Sequence, residues 1–333
     1  MLNISNSRLQ TFRRCHYAHY LKYYEGLKKK AKDSALVRGS AIHECIEYYC
    51  TGRSWRKSFN RFSKEFYDSH FKEELVEIGD IPRMVEELME NYQVFYEDEP
   101  YEYISCETYF ELPLPMVKGV QLIGYIDAII QDDKGKIWSK EIKTYSKTPD
   151  RDFLVMNNQS SLYMWALEQM GYNPQGTLWD IIRAKEPSAP SITKGGKLSQ
   201  ARIDSTPYTL EKGIRKLGLD PEKYRDYIES VRFENFLYRF PIRKNQEVVD
   251  RVISDTQSTA RDIRDRGESL RDRNLSKECS WCAYRDICQA EMMGLDTSFI
   301  IKNNYEKREE DEEIKANKTN RNRRKDSRPN GQK

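Results

Sequence analysis

Val120-Gln-Leu-Ile-Gly124-Tyr-Ile-Asp127-Ala-Ile-Ile-Gln131 runs into Asp133-Lys134-Gly135 and then into Lys136-Ile-Trp-Ser-Lys-Glu141-Ile-Lys143. Both arms are rich in β-branched and aromatic residues, which predicts two strands. Asp-Lys-Gly suits a three-residue hairpin loop with Gly135 in the left-handed position. Such a loop fixes the register and sets Asp127 opposite Glu141. Period-2 alternation then puts Lys143 on the same face as Glu141. Two carboxylates at van der Waals range repel unless a cation bridges them, and paired hard oxygens suit Mg²⁺ or Mn²⁺. The hairpin reads as a metal-dependent active site; an exposed salt-bridge ladder would use the same residue types.

Composition narrows the choice. The chain has 333 residues, 38% hydrophobic and 33% charged, with a net charge of +3. That length holds one large domain with a substantial core, or two small ones. So small a net charge supplies no global basic field for a nucleic acid. No apolar run approaches the roughly 18 residues needed to span a membrane, and the N-terminus lacks a signal-peptide apolar region. Seven cysteines without a secretory signal argue against a disulfide framework and for metal or cluster ligation. The expectation is a cytoplasmic protein with no membrane partner.

Capping residues Ser5, Asn6 and Ser7 predict a helix carrying Leu9, Phe12, Cys15 and Tyr20 and ending near Gly26. Further helices are expected over about 35–50, 54–78, 82–97, 152–170, 209–231 and 247–266. Strands are expected at 104–112, in the hairpin, and at 176–183 and 236–242. Residues 186–207, poor in apolar side chains, read as a mobile loop. From about Asn303 an acidic run and then a basic one, Arg321-Asn-Arg-Arg-Lys325, carry almost nothing apolar. A disordered tail over 302–333 is therefore expected after a single catalytic domain over 1–301.

Cys279-Ser-Trp-Cys282-Ala-Tyr-Arg-Asp-Ile-Cys288 supplies three sulfurs spaced C-x2-C-x5-C. A tetrahedral zinc or a cubane cluster needs four, so the fourth must come from elsewhere, and Cys15 is the natural candidate. Spacing alone favours zinc. Cys45, Cys50 and Cys106 sit in apolar contexts and read as core. In Arg38-Gly39-Ser-Ala-Ile-His43-Glu-Cys-Ile-Glu47, His43 and Glu47 share one helix face, and Gly39 permits a close approach one turn earlier. Gln159 and Tyr163 make a similar i, i+4 pair.

Taken in order, Cys15, Gly39-x3-His43, Gly124-x2-Asp127, Glu141-Ile-Lys143, Gln159-x3-Tyr163 and C-x2-C-x5-C form a pattern. It resembles the RecB-like branch of the PD-(D/E)XK nucleases, and more narrowly the iron–sulfur members that include CRISPR-associated exonucleases and AddB-type recombination nucleases. The resemblance covers about residues 5–292. It implies an α/β restriction-endonuclease-like core, a central mixed sheet flanked by helices, with the two chain ends joined by a four-cysteine cluster. It implies metal binding by His43, Asp127, Glu141 and the backbone carbonyl of Ile142. It gives catalytic roles to Asp127, Glu141 and Lys143, with Gln159 and Tyr163 supporting the lysine and the DNA strand. It also implies a [4Fe-4S] cluster on Cys15, Cys279, Cys282 and Cys288, against the zinc that spacing favours. Family members often carry Pro after the first cysteine; this chain has His16, which raises that histidine as a competing ligand.

The activity so implied is a divalent-metal-dependent DNA exonuclease acting on single-stranded or free ends in replication, recombination or repair. A structure-specific endonuclease or a CRISPR-adaptation processing nuclease is the alternative enzyme. An inactive cysteine-ligated nucleic-acid-binding protein is the alternative of another class. No G-x4-G-K-[ST] is present, so any ATP-driven unwinding must come from a helicase or recombination partner.

Overall fold

In the computed structural model, residues 1–308 are described, apart from 32, 72, 73, 76, 77 and 148. They divide into two compact units. The first holds 1–32, 109–124 and the chain from 253 on; the second holds 33–108 and 125–252. The expected tail from 309 to 333 lies outside the described residues.

In the first unit, β1 (Leu2–Ser5) lies parallel to the opening residues of β4 (Val120–Gln131), Ile4 facing Leu122. Ser5 caps α1 (Asn6–Arg14) by accepting from the Arg8 amide. The single N-terminal helix expected from sequence is broken. Cys15 takes an extended backbone (φ −165°) between α1 and α2 (His16–Tyr23). Strand β2 (Leu27–Lys29) pairs antiparallel with β8 (Tyr305–Lys307), and Tyr305 is buried. Ordered structure thus continues past the expected boundary at 301. Tyr17, Leu21, Leu27, Tyr284, Ile287 and Tyr305 pack as one core that joins residues near both chain ends.

In the second unit, α3 (Ser34–Cys50) starts on the Asp33 cap and stops before Gly52, whose φ of 68° ends it. Helices α4 (Trp55–Ser69) and α5 (Ile81–Phe95) follow. The sheet is mixed. Strand β3 (Glu102–Pro113) pairs with β4, and β4 pairs antiparallel with β5 (Ile137–Tyr145). Strand β5 runs parallel to β6 (Pro174–Arg183), and β6 antiparallel to β7 (Leu237–Arg243). Apolar residues of α3, α4 and α5 pack on Ala128, Ile130, Ile142, Leu178 and Ile182. The predicted helix over 152–170 is split at Met156–Asn157 into α6 (Arg151–Val155) and α7 (Asn158–Gln169). In α7, Ser160 to Leu167 are all buried.

The expected hairpin is present in the expected register. Ala128 faces Lys140 and Gln131 faces Ile137; Gly135 takes a φ of 74°. One further step of the ladder sets Asp127 against Glu141. Alternation along β5 then separates two buried charges, Lys140 to the face of α3 and α5, Glu141 to the other. Lys140 is fully buried, its ammonium 2.9 Å from Asp180, 3.0 Å from the Tyr92 hydroxyl and 2.5 Å from that of Tyr103. Arg239 joins it at 3.2 Å from Asp180 and 2.7 Å from Glu99. Burial alone would push the Asp180 carboxyl up; Lys140 and Arg239 outweigh it and hold it down at about 2.

Two further expectations hold only in part. Residues 186–207 are irregular, as expected, with 191–197 exposed, but the segment is anchored by buried Leu198, Ser205 and Thr206. The predicted helix over 209–231 breaks at Gly218, whose φ is 74°, into α8 (Pro207–Lys216) and α9 (Arg225–Glu229).

Lys140→Met should leave Asp180 buried without its closest cation. Removing one partner of such a pair costs about 3–5 kcal/mol, so urea denaturation at pH 7 should show a loss of that order. A loss under about 1 kcal/mol would mean that Arg239 alone balances Asp180.

Candidate active site

Segments α3, β3 and α7 bring side chains to the Asp127–Glu141 face of the β4–β5 hairpin. From α3, His43 places Nδ1 3.9 Å from Asp127 Oδ2. The close approach expected at Gly39 is real, but to a side chain: a Cβ there would stand 3.2 Å from Thr144 Oγ1. Glu47, one turn beyond His43, pairs with Arg53 at 3.1 Å. From β4, Asp127 Oδ2 accepts from the Ile142 amide at 2.7 Å, which fixes the carboxylate across the ladder. The Ile142 carbonyl meets His43 and favours its charged form, as does Asp127, yet burial dominates and lowers the imidazole below its ordinary value. A neutral imidazole is the form that binds metal.

Glu107 was not singled out in the sequence. His43, Glu107 and Asp127 each offer a ligand atom, all within 4.8 Å of one another. Glu107 sits in β3 with a φ of 49°, a left-handed conformation that costs free energy in any residue but glycine. In sequence it is one polar residue in an alternating strand, and no spacing marks it.

Glu141 stands beside this trio and is wholly buried. Its Oε2 lies 3.3 Å from Lys143 Nζ and accepts from Gln159 Nε2 at 2.8 Å. Its Oε1 is buried with no hydrogen-bond partner. Burial, then Asp127, and more weakly Glu107 push this carboxyl well above its ordinary 4.5, against the pull of Lys143. Burial would lower Lys143, but Glu141 and Asp127 more than offset it and keep the ammonium protonated. Gln159 also reaches the Tyr163 hydroxyl at 3.0 Å, so the predicted i, i+4 pair shares one face of α7. Three acidic groups, one imidazole and an orphaned buried carboxylate oxygen make a donor set that suits a hard divalent cation. The residues present fit such an ion.

The chain matches the sequence pattern described as PD-(D/E)XK nuclease superfamily over residues 3–289. It belongs to that superfamily. Comparison with curated proteins gives no match. Solved structures with similarity include the protein SSO0001, at 16% identity and a TM-score of 0.27 over 75% of this chain and 84% of that one. A candidate exonuclease from Eubacterium rectale is another, at 12% identity and a TM-score of 0.34 over 68% and 82%. PD-(D/E)XK nucleases use divalent metals, and His43, Glu107 and Asp127 form a candidate place for one in this chain.

The four expected cluster cysteines lie together in the first unit. Cys15, Cys279, Cys282 and Cys288 all line one cavity of about 440 Å³, with Arg14, Arg273 and Arg285 on its wall. Burial raises the Cys288 thiol; Arg273, hydrogen-bonded to it, opposes that, while Cys15 and Cys279 add to it. Four thiols lining one cavity beside three arginines fit an anionic thiolate-bound group. His16 instead holds Asp272 at 2.7 Å. Cys45, Cys50 and Cys106 are buried core residues, as expected. Among the described residues, no helix is long and apolar enough to cross a membrane.

A carboxyl whose folded pKa is raised above its unfolded value stabilises the fold below the unfolded pKa and loses that contribution as pH rises. For Glu141 the loss begins near 4.5. Glu141→Gln should therefore melt higher than the wild type at pH 8 without metal, the gap closing toward pH 4. It should also lose the Mn²⁺-dependent rise in melting temperature. Equal metal-free melting of both proteins at pH 8 would contradict the assignment of Glu141 as a strained acid.

Proposed function

We propose that this chain is a divalent-metal-dependent deoxyribonuclease of the RecB-like, iron–sulfur branch, an exonuclease working from single-stranded or free DNA ends. The observation that carries the reading is the convergence of His43, Glu107 and Asp127 beside the orphaned Oε1 of buried Glu141. The exonuclease assignment rests on the ordered motifs from Cys15 to Cys288 that this branch shares.

His43, Glu107, Asp127, Glu141 and the Ile142 carbonyl are the residues that would hold Mg²⁺ or Mn²⁺. When bound, such an ion supplies Lewis acidity toward phosphate oxygens and lowers the pKa of a bound water. Lys143 carries its positive charge where hydroxide develops and holds the nucleophile in line. Gln159 fixes Glu141 and, through Tyr163, ties α7 to the site, so both carboxylates stay preorganised. Misplacement by about 1 Å can cost about a hundredfold in rate.

Cys15, Cys279, Cys282 and Cys288 would hold a [4Fe-4S] cluster that fastens residues near the two ends of the chain within one unit; zinc remains the competing occupant. The nuclease domain then extends through β8, and the basic run Arg321 to Lys325 adds to DNA affinity by counterion release. Strand separation, where needed, falls to an ATP-driven partner. The working compartment is the cytoplasm, where thiolate clusters stay reduced.

With Mg²⁺ or Mn²⁺, end-labelled linear single-stranded DNA should be degraded and circular single-stranded DNA spared. Products from the circle would replace the exonuclease with an endonuclease. Asp127→Ala and Lys143→Ala should each lower cleavage by about two to three orders of magnitude while the fold persists; near-normal cleavage by Asp127→Ala would sink the site.

Protein purified without oxygen should be brown, with about four irons per chain. Cys282→Ser should bleach it and lower its melting temperature. Stoichiometric zinc without iron would reject the cluster.

A further inference from the structure

Strands β6 and β7 are hydrogen-bonded antiparallel neighbours, which a two-residue turn can join. Residues 184–236 are inserted there instead. The insertion has a core of its own, in which Leu198, Leu210, Ile214, Tyr227, Ile228 and Val231 pack together. It is fastened to α5. Asn91 Nδ2 donates to Thr209 Oγ1 at 3.0 Å, Thr206 donates to Asn91, and Lys212 pairs with Glu87 at 2.7 Å and with Glu90.

Its exposed end is a short hairpin. Ile192 faces Leu198, the Thr193 amide donates to the Lys197 carbonyl at 2.8 Å, and Gly196 turns the chain with a φ of 75°. The stem is held tightly: a Cβ on Gly213 of α8 would lie 2.3 Å from Pro190 Cδ, so only glycine lets the proline seat there. Residues 191–203 contain Lys194, Lys197 and Arg202 and no acid. All three are exposed. Cations at the base of the insertion are matched, Arg183 and Lys185 with Asp204 and Arg215 with Glu211. Among the described residues, the three at the tip form no ion pair. A rigid stem thus presents unmatched positive charge, when the same side chains on a loose loop would lose more entropy on binding.

The position of this element suggests its use. The insertion leaves β6 where the Ala184 amide donates to the Tyr145 carbonyl at 2.8 Å, two residues beyond Lys143 on β5. Lys143 pairs with Ile181, so the insertion departs about 10 Å further along the sheet, at the strand rise of about 3.3 Å per residue. We infer that the hairpin over 191–203 grips the phosphate backbone of the DNA strand that the nuclease site cuts, without reading its bases. This rests on the nuclease reading above. Phosphate contact by exposed lysine and arginine positions a strand and carries no sequence information.

The test is binding of fluorescent single-stranded oligonucleotides in EDTA, over a salt series, by wild type and two triple variants. Each phosphate contact on a single strand contributes about 0.7 to the slope of log affinity against log salt. Lys194→Gln, Lys197→Gln and Arg202→Gln together should bind more weakly and flatten that slope by about 2. The deficit should fall by roughly sixteenfold between about 50 and 200 mM salt. It should be alike for poly-dT and mixed sequence. Exchanging lysine and arginine at the three positions should restore affinity. A neutral variant with wild-type slope and affinity overturns the inference, as does a charge-retaining variant as weak as the neutral one. Hairpin-dependent binding by a wild type that cleaves nothing with Mg²⁺ or Mn²⁺ would support the grip and sink the nuclease reading.

Discussion

Glu141 is wholly buried with Asp127 and Glu107 near it, and the free energy of ionising it there governs how the rest of the hairpin is built. A carboxylate out of water needs a partner for each of its oxygens. Lys143 and Gln159 satisfy Oε2, while Oε1 is left bare. The Ile142 amide restrains Asp127, so the second acid cannot swing away to relieve the repulsion. Side chains, backbone and strand register therefore hold negative charge together more tightly than the protein itself neutralises it. A divalent cation held there would relieve the repulsion and give the orphaned oxygen a partner.

The opposite face of β5 sharpens the point. Asp180 is as buried as Glu141, yet its carboxyl is pulled down to about 2 while that of Glu141 is pushed up. The difference lies in the company each keeps. Each keeps one oxygen without a hydrogen bond, but Lys140 and Arg239 both lie against Asp180, whereas at Glu141 the pull of Lys143 is opposed by burial, Asp127 and Glu107. Burial alone says nothing about function; an acid whose charge the fold leaves unanswered does. One strand carries both cases on successive residues because alternation sends them to opposite faces.

This contrast explains how much could be read in advance. The hairpin register, Gly135, the placing of His43 and the Gln159–Tyr163 pair are local consequences of period and turn chemistry, which sequence displays. Glu107 escaped because its approach depends on a left-handed backbone in β3, and no residue type signals that conformation. Lys140 escaped for another reason. A lysine in a half-polar strand reads as solvent-facing, and only the non-local Asp180, Tyr92 and Tyr103 make its burial tolerable. The break at Cys15 is of the same kind, since helical propensity runs through it. The packing of 186–207 came from Pro190 seating on Gly213, a contact between segments that a composition count cannot foresee.

An acid-rich site poses a difficulty for a polyanionic substrate. With His43 uncharged, Lys143 is the cation this cluster sets against three carboxyl groups, so the metal-free site repels phosphate. Cations meant for the substrate must then stand near the site without pairing with its acids, or they would neutralise the ligands that bind the metal. An element with its own core, fastened to α5 and leaving the sheet beyond Lys143, meets both conditions. Its position is fixed by packing, and among the described residues its tip cations pair with no acid. The small net charge of +3 is consistent with this economy: attraction for a polyanion need not be spread over the surface when a few unmatched charges are grouped on one element.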